Sequence, residues 1–236
     1  MRTVNLDYNA TTPLDDGVRE AMMPFLSGVF GNPSSVHHMG QRARAALDEA
    51  RERVAAVLKA NPSEIIFTSG ATESCNHAIL GAARLRSEKG RHIVTSAIEH
   101  HAVLHSCEYL ENKENFEVSV VLPDSNGRVT PDSVREIIRP DTILVSLMAA
   151  NNEVGTIQPV AEIGEFCANN SILFHTDAVQ AFGKLSFDEI SQFRADFVSL
   201  CAHKFHGPKG VGILYARSPL QPPPLILGGA HENARR

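Results

Sequence analysis

The most informative part of the sequence is Ser199-Leu200-Cys201-Ala202-His203-Lys204-Phe205-His206-Gly207-Pro208-Lys209-Gly210. It starts inside an apolar run over 196–200 and ends in a Gly-Pro-Lys-Gly turn. A strand followed by a turn would hold Lys204 at the rigid edge of a site. A desolvated lysine near other cations loses part of its preference for charge, and a neutral amine forms a Schiff base. The alternative is a solvated surface lysine, which is the usual state of this residue type.

Strand and helix patterns alternate on the N-terminal side of this stretch. We predict strands over 64–68, 92–96, 116–122, 142–147, 172–176, 196–200 and 211–215, and helices over 35–60, 71–87, 101–113, 131–139 and 160–169. This alternation predicts an α/β fold with a mainly parallel seven-stranded sheet flanked by helices. Ligands bind such sheets at the carboxyl ends of the strands, so candidate chemistry should follow each apolar run.

Composition and charge narrow the class of protein. The 236 residues are 43% hydrophobic and 21% charged, which is enough for one sizeable core. The net charge of −5 gives no electrostatic support for nucleic-acid binding, and no apolar run approaches a membrane span. The four cysteines form no Cys-x-x-Cys pair, and the first residues contain no apolar signal region. We therefore expect a cytoplasmic protein with no nucleic-acid or membrane partner.

The first two strands are followed by small, hydroxyl and imidazole side chains. Ala71 and Thr72 open a helix directly after the run 64–68, where free backbone N–H groups favour an anion such as phosphate. Capping of the helix by Thr72 is the alternative. His100 follows 92–96, where an imidazole stacks on an aromatic cofactor, moves protons, or simply starts a helix. His101 and His105 have the spacing of a metal-binding pair but lack a third ligand, so we expect no metal site.

Amide and carboxylate side chains follow two later strands. Asn152 lies in a turn after 142–147 that offers hydrogen bonds, although plain turn chemistry also explains it. Asp177 ends the run 172–176 and, if buried, needs a cationic partner such as a protonated pyridine nitrogen; the alternative is a helix N-cap. Gln180 is placed to donate to a ring oxygen. Together with Lys204 these groups match the needs of pyridoxal 5'-phosphate: an aldehyde trap, a charge on the ring nitrogen and a phosphate site.

Several motifs give the sequence a family resemblance along its whole length. They are Leu6-Asp7-Tyr8-Asn9-Ala10-Thr11-Thr12-Pro13, Gly31-Asn32-Pro33-Ser34-Ser35, Phe67-Thr68-Ser69-Gly70-Ala71-Thr72-Glu73-Ser74 and Ala150-Asn151-Asn152-Glu153-Val154-Gly155, with His203-Lys204 and Gly207-Pro208-Lys209-Gly210. The sequence thereby resembles the cysteine desulfurase and selenocysteine lyase family, pyridoxal-phosphate enzymes of the aminotransferase class V type. The resemblance implies the fold type I transferase fold, with residues 1–15 belonging to a small domain and 16–236 to the large cofactor domain. The small C-terminal domain of the family is expected to be absent.

The resemblance also implies a role for each candidate residue. Lys204 would bind the cofactor covalently, and His100 would stack on its ring; both would be catalytic residues. Asp177 would pair with the ring nitrogen. Gln180 would contact the ring oxygen. The phosphate would be contacted by Ala71, Thr72, Cys201 and His203. Asn152 would contact the cofactor or the substrate. The substrate side would be lined by Asn9, Ala10 and Asn32.

The implied reaction converts L-cysteine to L-alanine and transfers sulfur as an enzyme persulfide. The family works as homodimers and passes sulfur to an acceptor, commonly an iron–sulfur scaffold protein. Its nucleophilic loop cysteine has no counterpart here, because Cys75, Cys107 and Cys167 fall in helical segments and Cys201 falls on the phosphate side. Three hypotheses therefore stand: the cofactor part of a desulfurase, a shortened cofactor-binding or assembly protein without desulfurase activity, and a selenocysteine lyase.

Overall fold

A seven-stranded sheet forms the centre of the protein in the computed structural model, which describes residues 4–229 and 231–236. The strand order is β1-β7-β6-β5-β4-β2-β3, and only β7 runs antiparallel to its neighbours. The strands are β1 Ile65–Thr68, β2 His92–Ser96, β3 Glu117–Val121, β4 Thr142–Ser146, β5 Leu173–Asp177, β6 Phe197–Cys201 and β7 Gly212–Ala216. The helices are α1 Asp16–Met22, α2 His38–Leu58, α3 Ala71–Arg86, α4 His101–Glu114, α5 Pro131–Arg135 and α6 Val160–Asn169, followed by a short turn over His231–Ala234.

The predicted α/β fold is confirmed, and each strand end differs from its prediction by at most one residue. Apolar runs bounded by polar residues place strands well, because all five residues of β2, β4, β5 and β6 are buried. The predicted cap of α5 is also confirmed, since the Thr130 hydroxyl accepts from the Ser133 amide at 3.1 Å. Helix α5 ends at Arg135 and not at the predicted Arg139. Pro140 disfavours a helical backbone at Arg139, the residue before it.

Helix α2 shows where the sequence pattern gave the wrong inward face. Apolar residues at steps of three and four predict which face of this helix is buried, namely Ala43, Leu47, Ala50, Val54 and Val57. Val57 is instead 61% exposed, whereas Arg51, Ala55 and Leu58 are buried. The Arg51 guanidinium is buried because it donates to the Ile65 carbonyl and to both oxygens of Glu232, each at 2.8 Å. Arg51 thus occupies a core position because its charge is paired, although hydrophobicity alone predicts an apolar residue there.

Helices cover both faces of the sheet and enclose two cores. One core packs α3 and α4 on the sheet, with Ile79 and Val103 fully buried. The other lies under α2 and α6, around Phe174. No helix in the described part of the chain is long and apolar enough to cross a membrane. The division into 1–15 and 16–236 stays a prediction.

Candidate active site

A cavity of about 640 Å³ opens at the carboxyl ends of the parallel strands. Its walls come from the segments that follow β1, β2, β4, β5 and β6, together with part of the N-terminal segment. The predicted site residues that line it are Asn9, Ala10, Ala71, Thr72, His100, Asn152, Asp177, Gln180, Cys201, His203 and Lys204. Asn32 does not line it. That residue is exposed, and its side chain accepts from the Ser34 amide at 2.9 Å, in the loop before α2.

The N-terminus of α3 faces this cavity with free backbone donors. Gly70 precedes the helix with φ of 152°, which only glycine adopts readily, and no side chain caps the helix. The amide groups of Ala71 and Thr72 make no hydrogen bond to any residue that the structure describes. Thr72 therefore does not cap α3, and the exposed first turn has the donors and the dipole orientation of a phosphate cradle.

Glu73 closes one side of this cradle. Its carboxylate accepts from the Ser69 amide at 2.8 Å and the Ser69 hydroxyl at 2.6 Å, and it pairs with Arg236 at 2.5 Å. Burial raises the pKa of Glu73, but the hydrogen bonds from Arg236 and Ser69 outweigh it and hold the pKa below its ordinary value. The carboxylate is thus neutralised by its own partners, so it does not oppose an anion at the helix end.

Asp177 ends β5 as a buried carboxyl group that points to the cavity. Its Oδ1 accepts from the Val179 amide at 3.0 Å, and the Cys75 thiol lies 3.7 Å from Oδ2. Burial raises its pKa, against the hydrogen bond from Val179 and the positive charge of Lys204. No side-chain cation of the described residues forms an ion pair with it. A protonated ring nitrogen in the cavity would supply the missing positive partner.

Lys204 follows β6 and reaches across the cavity to the N-terminal segment. Its Nζ donates to the backbone carbonyls of Asn9 at 2.7 Å and Ala10 at 2.8 Å. The neighbouring His203 anchors the same segment, because its Nδ1 lies 3.1 Å from the Thr11 hydroxyl. Burial and the charges of Lys204 and Lys209 lower the pKa of His203. The amine is thus held on a rigid strand end inside a cluster of basic groups, as the Schiff-base hypothesis requires.

His100 begins α4 and also lines the cavity. Its Nδ1 accepts from the Ala102 amide at 3.0 Å, so His100 does start the helix, as the alternative interpretation expected. Because Nδ1 accepts, the proton of the neutral ring lies on Nε2. The helix start therefore fixes the ring while leaving its face and its Nε2–H for a ligand.

Glu99 is a buried carboxyl group directly before His100 that does not itself line the cavity, and the sequence did not reveal its burial. It is buried, its Oε1 accepts from the Ser96 hydroxyl at 2.6 Å and the Met148 amide at 2.9 Å, and its Oε2 has no partner among the described residues. Burial raises its pKa to about 8, so it is mostly neutral at pH 7. It joins the ends of β2 and β4, which carry His100 and Asn152. The sequence places this glutamate directly before His100, but no sequence signal shows that it is buried.

The four cysteines are all unpaired and buried. Burial raises the pKa of the Cys107 and Cys167 thiols to about 12, and burial and the charge of Asp177 raise the pKa of Cys75 well above its ordinary value. Only Cys201 lines the cavity, with its Sγ 3.8 Å from the Val211 carbonyl. Within the described ranges no three His, Cys, Asp or Glu side chains are grouped to hold a metal, and the His101 and His105 rings stack with centroids 5.2 Å apart.

These donors fit pyridoxal phosphate, because the cavity joins an open helix N-terminus, a buried carboxyl without a cation and a strand-end lysine. The sheet and this set of groups define the fold class of the pyridoxal-phosphate-dependent transferases. The chain belongs to the aminotransferase class-V family, whose sequence profile matches residues 4–234.

Individual relatives are similar over the whole chain. It is 52% identical over 235 residues to "Cysteine desulfurase IscS" of Dictyoglomus turgidum, covering 100% of this chain and 59% of that protein. A solved structure titled "NIFS-LIKE PROTEIN" superposes with a TM-score of 0.95 at 46% identity, covering 100% of this chain and 64% of the other. Another, "SspA in complex with cysteine", gives 0.93 at 44% identity, covering 99% and 67%. The chain thus spans about three fifths of the length of the curated relative (59%).

Proposed function

We propose that this chain holds the cofactor of a pyridoxal-phosphate-dependent cysteine desulfurase, which converts L-cysteine to L-alanine and passes the sulfur on as a persulfide. The observation that carries the proposal is the shared cavity of Lys204, Asp177 and the open N-terminus of α3. The similarity to proteins named cysteine desulfurase supports it.

The proposed binding mode assigns one group of the cofactor to each wall. The first turn of α3 and His203 bind the phosphate, while Asp177 faces the ring nitrogen. His100 stacks on the ring, because its Nδ1 is already engaged with the Ala102 amide. Lys204 would hold the cofactor covalently through its aldehyde.

The bound cofactor supplies an electron sink for the pair left when the substrate loses its Cα proton. Asp177 would keep the ring nitrogen charged, because its buried carboxyl group forms no ion pair with any residue that the structure describes. The amine of Lys204 would move the proton at Cα. Asn152, Asn9 and Ala10 line the side on which we place the substrate.

Sulfur transfer also needs a thiolate, and the described cysteines are poor candidates. Three of them have raised pKa values inside helices, and Cys201 lies on the proposed phosphate side. We infer that the accepting thiol comes from outside the described residues. The same observation favours a second candidate function, a cofactor-binding protein without desulfurase activity.

Product analysis separates these two functions. The cofactor-loaded chain is incubated with L-cysteine, with and without added dithiothreitol, and alanine and sulfide are measured. Alanine that forms only with the added thiol would support the desulfurase proposal and an external acceptor. No alanine from the loaded protein, either with or without the thiol, would favour the binding protein. L-selenocysteine in place of L-cysteine tests the lyase alternative.

The finer parts of the proposal follow the family. We propose a homodimer, a sulfur acceptor such as an iron–sulfur scaffold protein, and a reducing cytoplasmic location that fits four unpaired cysteines. Light scattering coupled to size exclusion tests the dimer: a monomer mass at micromolar concentration contradicts it.

A further inference from the structure

A second lysine, Lys184, lies beside the cavity and has no role in the function described so far. It follows Asp177 in a turn held by backbone hydrogen bonds, from Phe182 to Ala178 at 2.9 Å and from Leu185 to Ala181 at 2.9 Å. Bonds of this i to i+4 spacing place Gln180 and Lys184 on the same face of the turn. The Lys184 ammonium donates to Gln180 Oε1 and, at 2.8 Å, to Asn9 Oδ1.

These contacts decide which way the Gln180 amide points. An ammonium group only donates, so the atom that faces Lys184 must be the amide oxygen. The amide nitrogen then lies on the other side, where one N–H donates to the Asn9 carbonyl at 3.0 Å. Gln180 lines the cavity, so its second N–H is left for a ligand. The opposite orientation would turn an acceptor oxygen toward the same space.

The ammonium also adds positive charge next to Lys204. Both lysines bind the same residue, Lys184 through the side chain of Asn9 and Lys204 through its carbonyl. Burial, and then the charge of Lys204, lower the pKa of Lys184. Lys184 is an exposed residue, and its hydrogen bonds to Gln180 and Asn9 hold its amine in place.

We propose that Lys184 is a positioning residue of the cofactor site, which fixes the Gln180 amide so that a donor N–H meets the cofactor's ring oxygen. This inference rests on the function proposed above. A donor stabilises a negatively charged ring oxygen, whereas a flipped amide repels it. Without Lys184 the bound cofactor should therefore hold its proton more tightly.

The first test is the pH dependence of the visible absorption of the bound cofactor. In Lys184→Met the midpoint should rise by roughly one pH unit, a tenfold change in proton affinity. Lys184→Arg keeps a cationic donor and should restore most of the wild-type midpoint. Lys113→Met removes an exposed lysine of α4 and serves as the control. An unchanged midpoint in Lys184→Met would overturn the proposal.

A double-mutant cycle asks whether Lys184 acts through Gln180. Gln180→Ala alone should raise the midpoint, and adding Lys184→Met should raise it little further. Two shifts that simply add would show that Lys184 acts by its charge alone, which contradicts the positioning role.

A second readout needs no cofactor and keeps the inference separate from the proposed function. The side-chain amide signals of Gln180 in a nitrogen-15 spectrum are identified by their loss in Gln180→Ala. They should shift in Lys184→Met and stay in place in Lys113→Met. Unchanged signals would refute the contact even if the cofactor binds, and shifted signals would uphold it even if the wild-type chain binds no cofactor.

Discussion

Replacing Glu99 by glutamine tests the electrostatics behind the cavity. Burial raises the pKa of this group from an ordinary 4.5 to about 8, so the folded chain binds its proton more tightly than the unfolded chain does. An acid with a raised pKa contributes stability that is lost as the pH rises from its unfolded pKa toward its folded one. The free energy of unfolding should therefore fall by about 2 kcal/mol from this group alone between pH 6 and pH 8.

Glu99→Gln keeps the shape of the side chain and removes its titration. The new amide oxygen still accepts from Ser96 and from the Met148 amide. Its NH₂ group takes the place of Oε2, which has no partner in the described structure, and this costs roughly 1–3 kcal/mol at every pH. The informative quantity is therefore the change of stability with pH rather than its absolute value.

The assay is denaturant unfolding of the cofactor-free protein at a series of pH values and constant ionic strength. Glu108→Gln, an exposed change on α4, is the matched control and should follow the wild-type profile. The Glu99→Gln profile should lose the decline of about 2 kcal/mol. Parallel profiles for wild type and Glu99→Gln would refute the inference that Glu99 is a neutral acid in the fold.

Three further changes have definite expected results. Asp177→Ala should make the cofactor wash out on dialysis, because its ring nitrogen loses the buried carboxylate. Gly212→Ala should weaken cofactor binding in an equilibrium titration without touching the cavity, since the new Cβ would lie 2.6 Å from the Gly70 Cα. Arg51→Met leaves the buried Glu232 carboxylate without this cation and should lower the free energy of unfolding by about 3–5 kcal/mol, measured by denaturant titration.

Matched control variants test whether each of these effects is specific to its site. Gly228→Ala meets open space and should leave cofactor binding unchanged, whereas equal loss in both glycine variants would contradict the cradle argument. Arg53→Met breaks an exposed pair and should cost less than about 1 kcal/mol. Full cofactor retention in Asp177→Ala would rule out its role at the ring nitrogen.

The sheet was predictable because its signal is local. Each strand is a short apolar run, and burial on both faces makes that run continuous rather than alternating. The position of Lys204 and Asp177 at strand ends follows from the same runs, since parallel strands bring their carboxyl ends to one edge. The predicted strands alone therefore indicate that Lys204 and Asp177 lie at the same edge of the sheet.

Contacts between distant segments were not predictable in the same way. The carboxylate of Glu232 makes Arg51 a core residue of α2, and these positions are 181 residues apart. Lys184 reaches Asn9 across 175 positions, which no local pattern encodes. Glu99 looks like any charged residue before a helix until β4 places the Met148 amide against it. The surroundings of Arg51, Lys184 and Glu99 are therefore determined by their distant partners and not by their residue types.

Intact mass after borohydride reduction tests the central claim that this chain binds pyridoxal phosphate through Lys204. The protein is loaded with the cofactor, reduced and weighed beside Lys204→Ala treated in the same way. We expect one reduced cofactor on the wild-type chain, located at Lys204 by peptide mapping, and none on the variant. An unmodified wild-type mass, or an adduct of equal yield on the variant, would contradict it.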